Sequence, residues 1–200
     1  MHVRVTLVAA ARSAPLLAER FDDDRPLDRN GWQDVAVAAH GLVPLGAAEL
    51  RYCSPTPRSR ATGEALGFAP LAQPALRECD MGRWRGLTLG EVAAREPAAV
   101  DAWLADPLSA PHGGESLTDF ITRVGGWLDT RALYFVHTDQ RTAGDGAIVA
   151  VAEPSVVRAA LVYALKVPPL TYWNVDVRPL AAVTLTGWAG CWQMSLRAAA

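Results

Sequence analysis

Lysine is almost absent from this 200-residue chain: Lys166 is the only one, and the other cationic residues among its 19 are arginines. That bias marks a GC-rich genome more than it marks a function. Cations and anions nearly cancel, leaving a net charge of -2, so the basic surplus that a nucleic-acid surface needs is missing. Cysteine is scarce as well. Cys53, Cys79 and Cys191 lie far apart with no Cys-x-x-Cys pair, which excludes a zinc knuckle and a disulfide framework and fits a reducing cytoplasm. No apolar run is long enough for a bilayer: the most apolar late stretch, 147–165, is broken by Glu153, Pro154 and Arg158. The short apolar run at the start is followed closely by Glu19 and Asp22, so it reads as a strand and not as a secretory leader.

What is present is core. With 50% hydrophobic and 20% charged residues, the chain suits a single domain over residues 1–200. The β-branched, nearly uncharged run from Val3 to Ala9 has the composition of a strand buried on both faces, as in the middle of a parallel sheet. A second such run lies at 147–152, and a weaker one at 49–53. Helices are expected from Gly31 to about Gly41, capped by Asn30, and from Pro57 to Leu66. Further helices are expected at Thr88 to Glu96, Pro97 to Ala105, Ser116 to Leu133 with a weak point at Gly125-Gly126, and Ser155 to Leu165. Three late strands, Thr171 to Val177, Ala182 to Thr186 and Cys191 to Leu196, would end the chain, the last two as a hairpin. The alternation defines a three-layer α/β/α sandwich with a mainly parallel central sheet.

Ligands of such sheets sit outside the carboxyl ends of the strands, so the turn Ala9-Ala10-Ala11-Arg12 is where chemistry is sought first. Three alanines there offer no proton, no nucleophile and no anion-binding side chain.

Four blocks in order resemble the histidine phosphatase superfamily, the phosphoglycerate mutase-like group. They are Leu7 to Ser13, Ser54-Pro55-Thr56-Pro57-Arg58-Ser59-Arg60-Ala61-Thr62, Leu76-Arg77-Glu78 followed by Gly82, Trp84, Gly86 and Gly113-Gly114-Glu115-Ser116, and Val149 to Arg158. The resemblance spans nearly the whole chain and implies the phosphoglycerate mutase-like fold. It also implies a chemistry in which a histidine after the first strand attacks phosphorus. Two arginines and a second histidine hold the phosphoryl oxygens, and an acid protonates the leaving oxygen. Carried over by position, Ala10 stands where the nucleophile belongs, Ala9 replaces an arginine and Glu153 replaces the second histidine. Arg58 matches the remaining phosphate-binding arginine and Glu78 the proton donor.

The resemblance therefore implies a retained framework without its reactive centre, a non-catalytic relative with a binding or regulatory role toward a small anionic ligand or a protein partner. An alternative is an enzyme of another class with Glu78 and Glu153 as acid and base and Arg58 and Arg12 holding an anionic substrate. Ordinary phosphomonoester phosphatase or mutase activity ranks third. Arg58, Arg12, Glu153, Glu78, Trp84 and His112 are the candidate ligand-binding residues. Glu153 is expected to pair with Arg58, in a bidentate manner, across the space a phosphoryl group would fill. No metal, cofactor, nucleic acid or membrane is implied; a homo-oligomer is compatible with the sequence.

Overall fold

A computed structural model of the chain describes residues 2–13, 20–21, 23–137 and 146–195, the side chains of 134–137 excepted. Strands β1 (Val3–Ala9), β2 (Leu50–Cys53), β3 (Leu71–Ala72), β4 (Ala147–Ala152), β5 (Ala182–Trp188) and β6 (Cys191–Ser195) form one sheet in the order β3-β2-β4-β1-β5-β6. The strands from β3 to β1 are parallel, and β5 and β6 are antiparallel. β1 and β4 occupy the centre, as their composition requires. β2 lies one place further out, and β3, only two residues long and too short to show a period, covers its outer edge.

Successive side chains of β1 and β4 divide between two cores, as the two-residue period of a strand dictates. Val3, Val5, Leu7 and Ala9, with Ile148, Ala150 and Ala152, face helices α5 (Leu117–His137) and α6 (Pro154–Leu165). Val8 and Ala10, with Val149 and Val151, face α1 (Arg29–Leu42) and α2 (Pro57–Ala65). Each fully buried Val or Leu of β1 contributes about 1.5–3 kcal/mol, so the strand is held from both sides. A third cluster, Met81, Trp84, Val92, Val100 and Trp103, sits around α3 (Leu89–Arg95) and α4 (Pro97–Ala105). Among the described residues, no helix is long and apolar enough to cross a membrane.

Three local expectations are corrected. The cap of α1 is Asp28, not Asn30: its carboxylate accepts the Gly31 N–H at 2.5 Å, so the helix starts at Arg29. Thr171–Val177 is not a strand. Pro168 and Pro169 set a 3₁₀ turn over Pro169–Asn174, and Tyr172 is buried in the α5/α6 core. The Gly125-Gly126 pair does not weaken α5, which runs unbroken through it. Gly125 is where α6 crosses: a Cβ there would run into the Tyr163 ring. Gly31 has a comparable role, since a Cβ would collide with the Arg12 carbonyl and push α1 away from the turn after β1.

Candidate functional site

The register of the sheet brings three strand ends together. Ala9 pairs with Ala152, the Ala10 N–H donates to the Ala152 carbonyl at 2.7 Å, and the Ser54 N–H donates to the Val151 carbonyl at 2.8 Å. The chain then turns into two helices opened by proline, α2 at Pro57 and α6 at Pro154. Thr56 caps α2 by accepting the Ser59 N–H, and Glu153 occupies the cap position of α6 without capping it through its side chain.

The Glu153 carboxylate reaches toward α2 instead. It is fully buried, and its Oε1 accepts the Thr56 and Ser59 hydroxyls, the latter at 2.8 Å. The same oxygen lies 3.5 Å from Arg58 Nε. Its Oε2 has no hydrogen-bond partner among the described residues. A buried carboxylate is tolerated when it is hydrogen-bonded and faces a cation, and a helix N-terminus adds favourable potential. The expected pairing with Arg58 is thus present, but it is a single long contact and not bidentate. The reason is competition for the guanidinium. Arg58 Nη2 donates to Glu78 Oε2 at 2.5 Å, and Nη1 donates to Asp23 Oδ1 at 3.2 Å and to the Ser13 hydroxyl at 3.1 Å. Glu78 takes a further bond from the Ser155 hydroxyl at 3.1 Å, and Asp23 is shared with Arg25 Nε at 2.5 Å. Three carboxylates therefore surround two guanidiniums.

In front of this cluster is a cavity of about 470 Å³ lined by Ala10, Ala11 and Ser155 and by an excess of arginine. Arg12, Arg20, Arg25, Arg58, Arg158 and Arg178 line it, against Glu78 and Asp176. Ala10 is itself 1% exposed, held in the core by Val8 and Leu27. Among the described residues no histidine lines the cavity.

The candidates named from sequence divide accordingly. Arg58 and Glu78 line the cavity and touch each other; Glu153 lies behind its floor and contacts it only through Arg58. Arg12 lines the cavity but turns its guanidinium to α1, where Nε meets Asp34 at 3.0 Å. Trp84 and His112 must be corrected, because neither lines the cavity. Both are buried, their rings 5.0 Å apart, and Trp84 is held between Phe21, Trp103 and His112. His112 Nδ1 accepts the Gly114 N–H at 3.1 Å, and burial lowers the pKa of its imidazole. His2 packs on Trp188 at the opposite end of β1, and the His137 side chain lies outside the described residues. Cys53 is a core thiol, pushed up to about 11 chiefly by burial.

Asp23, Thr56, Ser59 and Ser155 were not singled out from sequence. Thr56 and Ser59 carried a usable signal, since the cap position and first turn of a helix that follows a strand face the strand ends. Asp23, inside an acidic triplet, looked like solvated loop.

A mainly parallel sheet with helices on both faces and a cleft at the carboxyl ends of its strands, with Arg58 from the start of α2 in its wall, defines the class of α/β fold to which the chain belongs. The model of the histidine phosphatase superfamily (branch 1) matches residues 19–199, and the chain belongs to that family. Among its relatives is a glucosyl-3-phosphoglycerate phosphatase of Mycolicibacterium vanbaalenii, 38% identical over 155 residues, which are 72% of this chain and 64% of that protein. A bifunctional protein of Mycobacterium tuberculosis is 36% identical over 102 residues, 49% of this chain and 28% of its own length. The chain thus spans less than two thirds of the length of these relatives. Solved structures of similar shape include a mycobacterial glucosyl-3-phosphoglycerate phosphatase, with a TM-score of 0.79 and 24% identity over 98% of both chains. Another is the α-ribazole phosphatase of Shigella flexneri, with a TM-score of 0.78 and 18% identity over 97% of this chain and 95% of that one.

Proposed function

We propose that this chain is a non-catalytic member of its family, a binding protein for a small anionic molecule in the cleft at the strand ends. The observation that carries the reading is Ala10. It follows β1 with a buried methyl group, among the described residues no histidine lines the cleft, and His112 packs against Trp84. Removing the nucleophile of a covalent mechanism costs about a millionfold in rate in a well-studied case. The second support is the filling of the phosphoryl-binding position: Glu153, Glu78 and Asp23 already engage Arg58. A phosphate monoester, with about -1.5 to -2 charges, would have to displace them. The acid–base alternative is weaker on the same geometry, since Glu153 does not reach the cavity surface and Arg12 is committed to Asp34.

Glucosyl-3-phosphoglycerate is the first substrate to test, because relatives are named for its hydrolysis. Purified protein is expected to release no inorganic phosphate from it or from p-nitrophenyl phosphate above a buffer blank. It is also expected to acquire no acid-labile phosphoryl label on histidine. Turnover that disappears in Glu78→Gln would overturn the proposal.

A further inference from the structure

A second cavity of about 740 Å³ opens from the first, and the two share Arg20, Glu78, Ser155 and Arg158 as common wall. Its character is different. Phe21, Trp103, Phe120, Tyr172 and Trp173 present aromatic surface, with Met81 beside them. The rings meet mostly edge to face: Phe21 with Trp103 at 5.7 Å, Trp103 with Trp173 at 4.6 Å, Tyr172 with Trp173 at 4.9 Å. Edge-to-face walls of this kind expose both ring faces and positive ring edges to a flat guest. The volume is in the range of sites that enclose a drug-sized molecule.

The seam between the cavities carries the polar handle. Arg158 is the cavity arginine that has no carboxylate within ion-pair distance among the described residues. Arg12, Arg20, Arg25, Arg58 and Arg178 each have one. The Arg158 guanidinium lies 5.7 Å from the centre of the Tyr172 ring, and its Nε is buried without a hydrogen-bond partner among the described residues. A guanidinium over a ring, with no carboxylate partner among the described residues, can offer its terminal N–H groups to a planar two-oxygen acceptor. The carboxylate of Glu78, at the same seam, is held by Arg58 and Ser155, so Arg158 is left to match one carboxylate of the guest.

Taking as given the reading of the cleft as a ligand site, we infer that the ligand is an aryl or fused-ring monocarboxylic acid. Its ring system fills the aromatic cavity and its carboxylate pairs with Arg158. The polyhydroxylated phosphate of a sugar ester does not suit the aromatic half, whose apolar walls leave hydroxyls without partners.

The test uses 2-naphthoate as probe, with 2-naphthalenemethanol as its neutral analogue and glucosyl-3-phosphoglycerate as the competing class. Binding is followed by calorimetry and by tryptophan fluorescence, since Trp103 and Trp173 form the wall. Naphthoate is expected to bind one to one and to lose about ten- to hundredfold in affinity in Arg158→Gln, the range for a hydrogen bond to a charged group. The alcohol should bind about as weakly as naphthoate binds that variant. Ala93→Phe, an exposed position on the cavity wall, should block binding while leaving the melting temperature unchanged. Naphthoate affinity that is undiminished in both variants, or equal affinity for the alcohol, would overturn the inference. Binding of the sugar phosphate but not of naphthoate would refute the ligand class and leave the binding role standing. Phosphate release from the sugar phosphate would refute the non-catalytic reading without touching the naphthoate result.

Discussion

Arg58 reaches Glu78 at 2.5 Å with Nη2 and Glu153 at 3.5 Å with Nε, so one guanidinium ties the Leu76-Arg77-Glu78 segment to the residue that follows β4. Breaking one arm of such a cluster leaves the other charges less compensated, and the site's behaviour toward anions follows from that.

Glu153→Gln keeps an oxygen to accept from Thr56 and Ser59 but removes the charge beside Arg58. A unit charge at ~4 Å is worth roughly 4 kcal/mol at an effective dielectric of about 20, and Arg58 already offsets much of it. Phosphate affinity is expected to rise about tenfold in Glu153→Gln, equivalent to ~1.4 kcal/mol, as measured by titration calorimetry. Tight phosphate binding by the unmodified protein that does not change in the variant would contradict the reading that Glu153 competes with phosphate for Arg58.

Restoring Ala10→His alone is expected to give no phosphatase activity. The methyl group is buried with Val8 and Leu27, so the larger ring costs about 1–3 kcal/mol of stability through overpacking. Arg58, which would steady the developing charge, stays engaged by Glu78, Asp23 and Glu153. Phosphate release, read beside a urea midpoint for the same sample, checks both statements.

His112 predicts a pH dependence. Burial holds its imidazole below the ordinary value of 6.5, Arg83 pushes in the same direction and Asp80 opposes. A lowered histidine pKa means that the unfolded chain takes up the proton first. The contribution of His112 is therefore full above pH 6.5 and is lost as the pH falls from there toward the folded value. In His112→Gln, whose amide oxygen can still accept the Gly114 N–H, the urea midpoint should fall less steeply below pH 6.5 than in the wild type. Parallel curves would contradict this.

The two neighbouring glycines of α5 should respond with opposite signs. Gly125→Ala drives a methyl group into the Tyr163 ring and should destabilise by about 1–3 kcal/mol through overpacking. Gly126→Ala meets nothing within 4 Å and should stabilise by up to about 1 kcal/mol through helix propensity. Thermal denaturation of the pair separates a close helix crossing from simple backbone flexibility.

Arg123 donates to both oxygens of Glu115 and to the carbonyls of Ala75, Arg77 and Glu78, which fixes the backbone that carries the Glu78 side chain. Arg123→Ala should cost about 2–3 kcal/mol, the scale of charge-assisted hydrogen bonds, and should also loosen the Glu78–Arg58 contact. Chemical denaturation gives the first quantity, and the Arg58 guanidinium resonances give the second.

The central strands were legible because their composition and their neighbours agree: a β-branched run with polar turns after it has few other places in a fold. The position of Glu153 followed from the same logic, one residue beyond the most buried strand. What the sequence concealed were choices between near-equivalent partners. Asp28 and Asn30 are both good caps, and only the path of the chain past Gly31 selects the first. Arg12 has Asp34 within reach because α1 folds back across the turn, a relation that 22 residues of separation do not display. Trp84 and His112 were misplaced for a related reason. They occupy the right segments, but the cluster around α3 and α4 turns their rings inward.

The bond from the Ala10 amide to the Ala152 carbonyl is made by main-chain atoms alone. The identity of the side chain at that position does not enter into whether β1 and β4 remain joined. A scaffold joined in this way lets the side chain at position 10 change without unpairing the two strands, so the outline of the cleft is inherited separately from the chemistry it holds. Resemblance in shape among such proteins consequently dates their ancestry and says little about which of them still turn over a substrate.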